Sequence, residues 1–251
     1  MNSGGNTVTK LRASDGANLG TFVVGTSPWN AAFDGANIWV SNRLDSTVSE
    51  LRASDGANLG TFAVDTRPLG VAFDGANIWV ANEGSNTITK LRARDGAKVG
   101  TFSVGTNPWG VAFDGVNIWV ANQNNNNVTK LRARDGTSLG TFTVGGHPDT
   151  IAFDGLNIWV ANQTSNNVTK LRASSGANLG TFNVGSSPVA VAFDGSDIWV
   201  TNSGDNTVTK LRASDGANLG TFAVDTRPLG VAFDGANIWV TNFGGNTVSK
   251  L

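Results

Sequence analysis

Pro68-Leu-Gly-Val-Ala-Phe73-Asp-Gly-Ala-Asn77-Ile-Trp-Val-Ala-Asn82-Glu-Gly-Ser-Asn-Thr87-Ile-Thr-Lys-Leu-Arg92, continued by Ala-Arg-Asp-Gly-Ala-Lys-Val-Gly-Thr-Phe-Ser-Val104, decides the fold. Residues 70–73 form a short apolar run, strand a. Asp74-Gly75 begins a tight turn, because Asp-Gly is a strong hairpin signal. Residues 78–81 are strand b, and the polar residues 82–86 are a loop. Residues 87–92 alternate as strand c, Asp95-Gly96 turns again, and residues 99–104 are strand d. No window has the 3.6-residue period of a helix, so the class is all-β.

The pattern recurs every 40 residues. Phe33, Phe73, Phe113, Phe153, Phe193 and Phe233 mark it, as do Trp39, Trp79, Trp119, Trp159, Trp199 and Trp239. All six prolines keep the same spacing. Residues 1–11 repeat residues 241–251 with small changes, and residues 51–80 and 211–240 are identical. Such identity exceeds what folding demands of surface positions. It points to recent duplication or to deliberate repetition. Strands a and b are apolar at nearly every position, so each sheet is expected to be covered on both faces. Four-stranded sheets at this period stack as the blades of a six-bladed β-propeller. The whole chain, residues 1–251, reads as one such domain, its closing blade shared between residues 1–24 and 229–251. Both ends carry a copy of strand c. The N-terminal copy, which retains Arg12, is expected to fill the closing blade, leaving the C-terminal copy surplus and able to pair in trans with another molecule.

Composition narrows the functions. The chain has 18 basic and 19 acidic residues, which leaves no electrostatic footprint for nucleic acid or an anionic membrane. The absence of Cys excludes disulfides, thiolate zinc and iron–sulfur clusters, and the single His147 excludes any site that needs two imidazoles. No apolar run approaches the ~20 residues of a membrane-spanning helix. The N-terminus does not read as a signal peptide.

The motif Pro-x-Gly-Val-Ala-Phe-Asp-Gly-x-Asn-Ile-Trp-Val-Ala-Asn-x-x-x-Asn-x-Val-Thr-Lys-Leu resembles the YVTN-type β-propeller repeat. It is similar, more distantly, to NHL repeats and to the streptogramin lyase propellers. The resemblance spans all repeats and implies the propeller fold; its relatives are often exported. Streptogramin lyases use a metal with His and Glu, and here no His/Glu pair recurs. A lactonase-type metal site would have only Asp65, Asp149 and Asp225 near its mouth. No nucleophile–base pair, phosphate loop or dinucleotide motif is present. The expectation is a non-catalytic protein without cofactor or metal.

Most repeated residues read as structural. The six Trp are expected to pack between blades, each beside the small Ala of strand a. The Asp-Gly carboxylates serve turns, and the Asn that follows strand b bonds local backbone. Lys90, Arg92 and their equivalents are expected on a solvated rim with local Asp–Arg pairs, although Glu50 replaces Lys in one repeat.

The repeats differ mainly in two loops. The residues flanking each Pro change, and so does the first residue of the b–c loop: Arg43, Glu83, Gln123, Gln163, Ser203 or Phe243. In an up-and-down blade the d–a and b–c loops lie at one end, and loops on a rigid scaffold carry function. Blade order places Arg227, Trp29, Arg67 and Trp109 in succession as an arc of alternating cation and indole, with His147 and Asp149 on the opposite arc. Asp65 and Asp225 precede their Arg by two residues and either neutralise it or leave it free. The expected partner is a protein or a glycan, with a bare structural scaffold as the alternative, and the chain is expected to be a monomer.

Overall fold

The computed structural model describes every residue, Met1–Leu251. It is all-β apart from two single 3-10 turns, Ser3–Gly5 and Gln123–Asn125. Five four-stranded antiparallel sheets cover residues 28–63, 68–103, 108–143, 148–183 and 188–223. The remaining strands form a three-stranded sheet over residues 228–250 and a two-stranded sheet over residues 7–23. The six-bladed propeller class and its up-and-down strand order are as the repeat implies.

The repeat at residues 68–107 shows why each element forms. Strand a is Pro68–Phe73, b is Asn77–Asn82, c is Thr87–Arg92 and d is Lys98–Ser103. In the a–b turn, Asp74 Oδ1 accepts the backbone N–H groups of Ala76 and Asn77. Its other oxygen accepts the Trp79 indole N–H at 2.7 Å. One side chain thus folds the hairpin and orients the largest core residue. The six Trp each find this partner, at 2.6–2.8 Å. The Asn that ends strand b is buried and bridges to strand c: Asn82 Nδ2 donates to Thr87 and Thr89 hydroxyls.

The backbone divides into two compact units, residues 1–120 with 131–139, and residues 121–130 with 140–251. In the first, Trp39 and Val48 pack on Val71, Ile78 and Val80 of the following sheet, and Trp79 and Ile88 pack on Ile118 and Val120. In the second, Trp159 and Val168 meet Val191 and Ile198, and Trp199 and Val208 meet Ile238 and Val240. The cores therefore lie between successive sheets, with Trp as the wedge, as expected.

Two expectations are corrected. Three of the strand c lysines are not solvated: Lys90, Lys130 and Lys170 are at most 6% exposed. Each ammonium crosses to the next c–d turn and donates to two backbone carbonyls there, as Lys90 does to Ala133 (2.7 Å) and Arg134 (3.2 Å). The methylene stem lies against Trp, and the ammonium stands over an indole, 5.0 Å from its centroid for Lys90 and Trp79. The arginines do form the expected exposed local pairs, such as Arg92 with Asp95 at 3.0 Å.

The second correction concerns the chain ends. Strand b at Ile238–Asn242 takes the C-terminal copy of strand c, Thr247–Lys250, as its neighbour. The N-terminal copy, Thr7–Leu11, pairs with Asn18–Val23 in the separate two-stranded sheet. Each copy therefore has a hydrogen-bonded neighbour within its own sheet, so the C-terminal copy is not left unpaired. The reason is local. A four-residue turn connects Asn242 to Thr247, so the hairpin closes at little entropic cost. Ile238 and Leu251 also exchange backbone hydrogen bonds at 3.0 and 2.9 Å, extending the pairing without the missing Arg. Deleting residues 246–251 is therefore expected to lower the melting temperature by several degrees, because strand b loses its partner and Asn242 its two hydroxyl acceptors. Thermal unfolding monitored by circular dichroism reads this directly, and an unchanged melting temperature would contradict the pairing.

Candidate functional site

The variable loops are built on an unusual backbone position. Ser27, Arg67, Asn107, His147, Ser187 and Arg227, each just before Pro, all have φ between 51 and 59°. The left-handed conformation strains a side-chain-bearing residue, and such strain persists where surroundings enforce it. At five of the six the enforcing group is an Asn in the preceding b–c loop; before Arg67 that position is Ser46. Asn126 Oδ1 accepts the His147 N–H at 3.0 Å, and Asn206 Oδ1 accepts that of Arg227 at 2.8 Å. The b–c loop that follows returns a backbone bond, as from Gln163 N to His147 O. Variable side chains are thus presented from a repeated, pinned backbone. The signal for this is an Asn 21 residues before the position, which recurs in every repeat except that of Arg67.

In the first unit, Trp29 and Trp109 touch directly, edge to face, with centroids 5.4 Å apart. This corrects the expected alternation with Arg67 between them. The cation on Trp29 is Arg43, with its guanidinium carbon 5.7 Å from the indole centroid. Arg43 also donates to Glu83 Oε2 at 2.8 and 3.2 Å, while Arg67 stands 3.8 Å from Glu83 Oε1. Glu83 therefore bridges two guanidinium groups, and Arg67 stays the more exposed, at 58%. Asp65 does not neutralise Arg67. It accepts from Lys98 and Thr87 at 3.0 and 2.8 Å. Arg43 and Glu83 are site residues that the loop comparison contained but did not single out.

In the second unit, Arg227 stacks on Phe243 at 5.0 Å, and Asp225 turns away to Thr226 and Thr247. His147 and Asp149 come together, with Nδ1 to Oδ1 at 3.5 Å. Gln123 donates to the same carboxylate, and Asp149 is 2% exposed. Burial pushes the Asp149 carboxyl up to about 7, which the Gln123 amide offsets only in part. Burial likewise holds His147 below its ordinary value, against a hydrogen bond that the imidazole donates to Gln163. A raised folded-state pKa means that Asp149 contributes stability fully below its unfolded value near 4 and loses it as pH rises through about 7. Asp149→Asn is expected to flatten denaturant stability between these limits and to make the protein more stable than wild type at pH 8 by roughly 1–3 kcal/mol. An unaltered stability–pH profile in this variant would contradict the assignment.

The fold and the forty-residue repeat define a β-propeller repeat protein. No protein-family model matches the chain, and no curated protein sequence matches it. Among solved structures it is similar to Kuenenia stuttgartiensis hydrazine synthase, with TM-score 0.85 and 18% identity, over 100% of this chain and 90% of that one. It is also similar to a streptogramin B lyase, with TM-score 0.75 and 20% identity, over 89% of this chain and 82% of that one. At such identities the likeness is one of fold, and propellers host unrelated activities.

Proposed function

We propose that this protein is a non-catalytic propeller of the YVTN type that binds a protein or glycan partner through its d–a and b–c loops. One observation carries the reading: in otherwise near-identical repeats the residue before each Pro varies from Ser to Arg, Asn and His while its backbone keeps one strained conformation. Uniform presentation of non-uniform side chains is the arrangement of a recognition surface, and rigid presentation lowers the ordering cost of binding. The half-buried Trp29 and Trp109 supply apolar faces, Arg43 stands over Trp29, and exposed Arg67 supplies a directional donor next to Glu83. Trp and Arg are the residues that most often dominate binding energy. Asp149, with the amides of Gln123 and Gln163, suits hydroxyl groups.

The test is a Trp29→Ala, Trp109→Ala double variant on glycan and peptide arrays. Loss of every wild-type signal, with an unchanged circular dichroism spectrum, is the expected result. Retained binding with the fold intact would move the site elsewhere, and a silent array for the wild type would favour the bare scaffold.

A further inference from the structure

Glu50 breaks a pattern that the other c strands keep. At this position, opposite the b-strand Trp, the remaining copies carry Lys. Lys10 donates to Ala53 and Ser54 carbonyls at 2.9 and 3.2 Å, and Lys130 and Lys170 reach the equivalent pairs. The carbonyls equivalent to these for Glu50 are those of Ala93 and Arg94. Both residues line an open depression of ≈ 610 Å³, together with Asp34, Asn37, Glu50 and Arg92. No donor of the protein reaches either carbonyl, and no cation stands over Trp39.

A carboxylate has thus been placed where an ammonium is otherwise held. Glu50 is only 8% exposed. Its Oε1 accepts from Asn37 Nδ2 at 2.7 Å, and Oε2 has no donor. Asn37 thus gives its amide to Glu50, whereas the equivalent Asn77 donates to both oxygens of Asp74. Burial, and then the charge of Asp34, raise the Glu50 carboxyl above its ordinary value, so the pair lacks a counter-charge. The nearby guanidinium groups do not supply it: Arg92 and Arg94 both pair with Asp95. Nor do they bar a cation, since Lys90 sits beside Arg132 and Arg134, which pair with Asp135 in the same way.

We propose that the depression at Glu50 binds a primary alkylammonium group in place of the missing lysine. The ammonium donates to Glu50 and to the carbonyls of Ala93 and Arg94, its three N–H bonds matching three acceptors. Its alkyl chain runs outward past Phe73 and Ala76, which line the same depression. The amine belongs either to a small diamine or to a lysine side chain of another protein.

Backbone amide NMR shifts test this with n-butylammonium, 1,5-diaminopentane and an acetylated, amidated lysine as probes. Saturable shifts at Asn37, Ala93 and Arg94 are expected, at millimolar concentrations for these small probes. Tetramethylammonium and potassium should give at least about tenfold weaker responses, since neither donates a hydrogen bond. Tighter binding of the diamine identifies a small amine as the source, and tighter binding of the lysine derivative identifies a protein. Glu50→Gln should weaken binding about tenfold. Glu50→Lys should abolish binding and raise the melting temperature, because it restores the contacts of the other repeats. Absence of saturable shifts, equal responses to tetramethylammonium, or unchanged affinity in Glu50→Lys would each overturn the proposal.

Discussion

Trp79→Ala is expected to destabilise the protein by about 3–5 kcal/mol, the range for truncating a fully buried large aromatic. Trp79 is 0% exposed and packs on Ile118 and Val120 of the next sheet, with the Phe102 ring at 5.6 Å. Its loss opens a cavity between two sheets. It also strips Asp74 of the indole donor and leaves the nearly buried Lys90 ammonium without its aromatic face. At about 2–4 °C per kcal/mol for a chain of this size, the melting temperature should fall by roughly 10 °C. Trp239→Ala is the internal comparison. Trp239 keeps the same Asp bond, at 2.6 Å, but lies in the three-stranded sheet and is only half-buried. It should cost clearly less. Equal losses at the two sites, measured by guanidinium denaturation, would mean that the Asp bond rather than packing between sheets sets the energy.

Gly96→Ala is expected to cost about 2–4 kcal/mol, combining left-handed strain with overpacking. Gly96 has φ +68°, and a Cβ there would overlap the ring of Phe62 from the neighbouring sheet. The same Phe-on-Gly contact recurs for Phe22 on Gly56, Phe102 on Gly136, Phe142 on Gly176 and Phe182 on Gly216. Gly75→Ala separates the two causes. Gly75 has φ +95° with no atom within 4 Å of the added Cβ, so it should show the backbone cost alone, about 1 kcal/mol. If the aromatic contact is the larger share, adding Phe62→Leu to Gly96→Ala should cost less than the sum of the single changes. Strict additivity would leave strain as the whole effect.

These two sites were legible to different degrees. The repeated Trp and Asp-Gly turns declare both the strand order and the core, because a forty-residue period allows each position to be read several times. The Phe-on-Gly lock was not legible, since Phe62 and Gly96 lie in different repeats and nothing local ties one to the other. The buried lysines were missed for a related reason. Lys reads as solvated wherever its partner is unseen, and its partners here are backbone carbonyls 43 and 44 residues away. In the loops, sequence located the variable positions and set His147 and Asp149 on the same arc without pairing them. It misplaced the arc, because Trp29 and Trp109 meet across an intervening repeat and Arg43 supplies the cation.

What sequence determined by itself is whatever repeats with a short range: turn type, strand alternation, apolar faces and hence the all-β propeller class. The tertiary structure alone decided which copy of strand c pairs at each end, which carboxylate answers which guanidinium, and what the Lys and Glu50 positions face. Hairpins and turns are set by contacts a few residues apart, whose energies the local residues carry wherever they stand. Contacts between sheets depend on how close two stacked backbones come and on which groups burial leaves without water, and neither quantity exists until the sheets have packed.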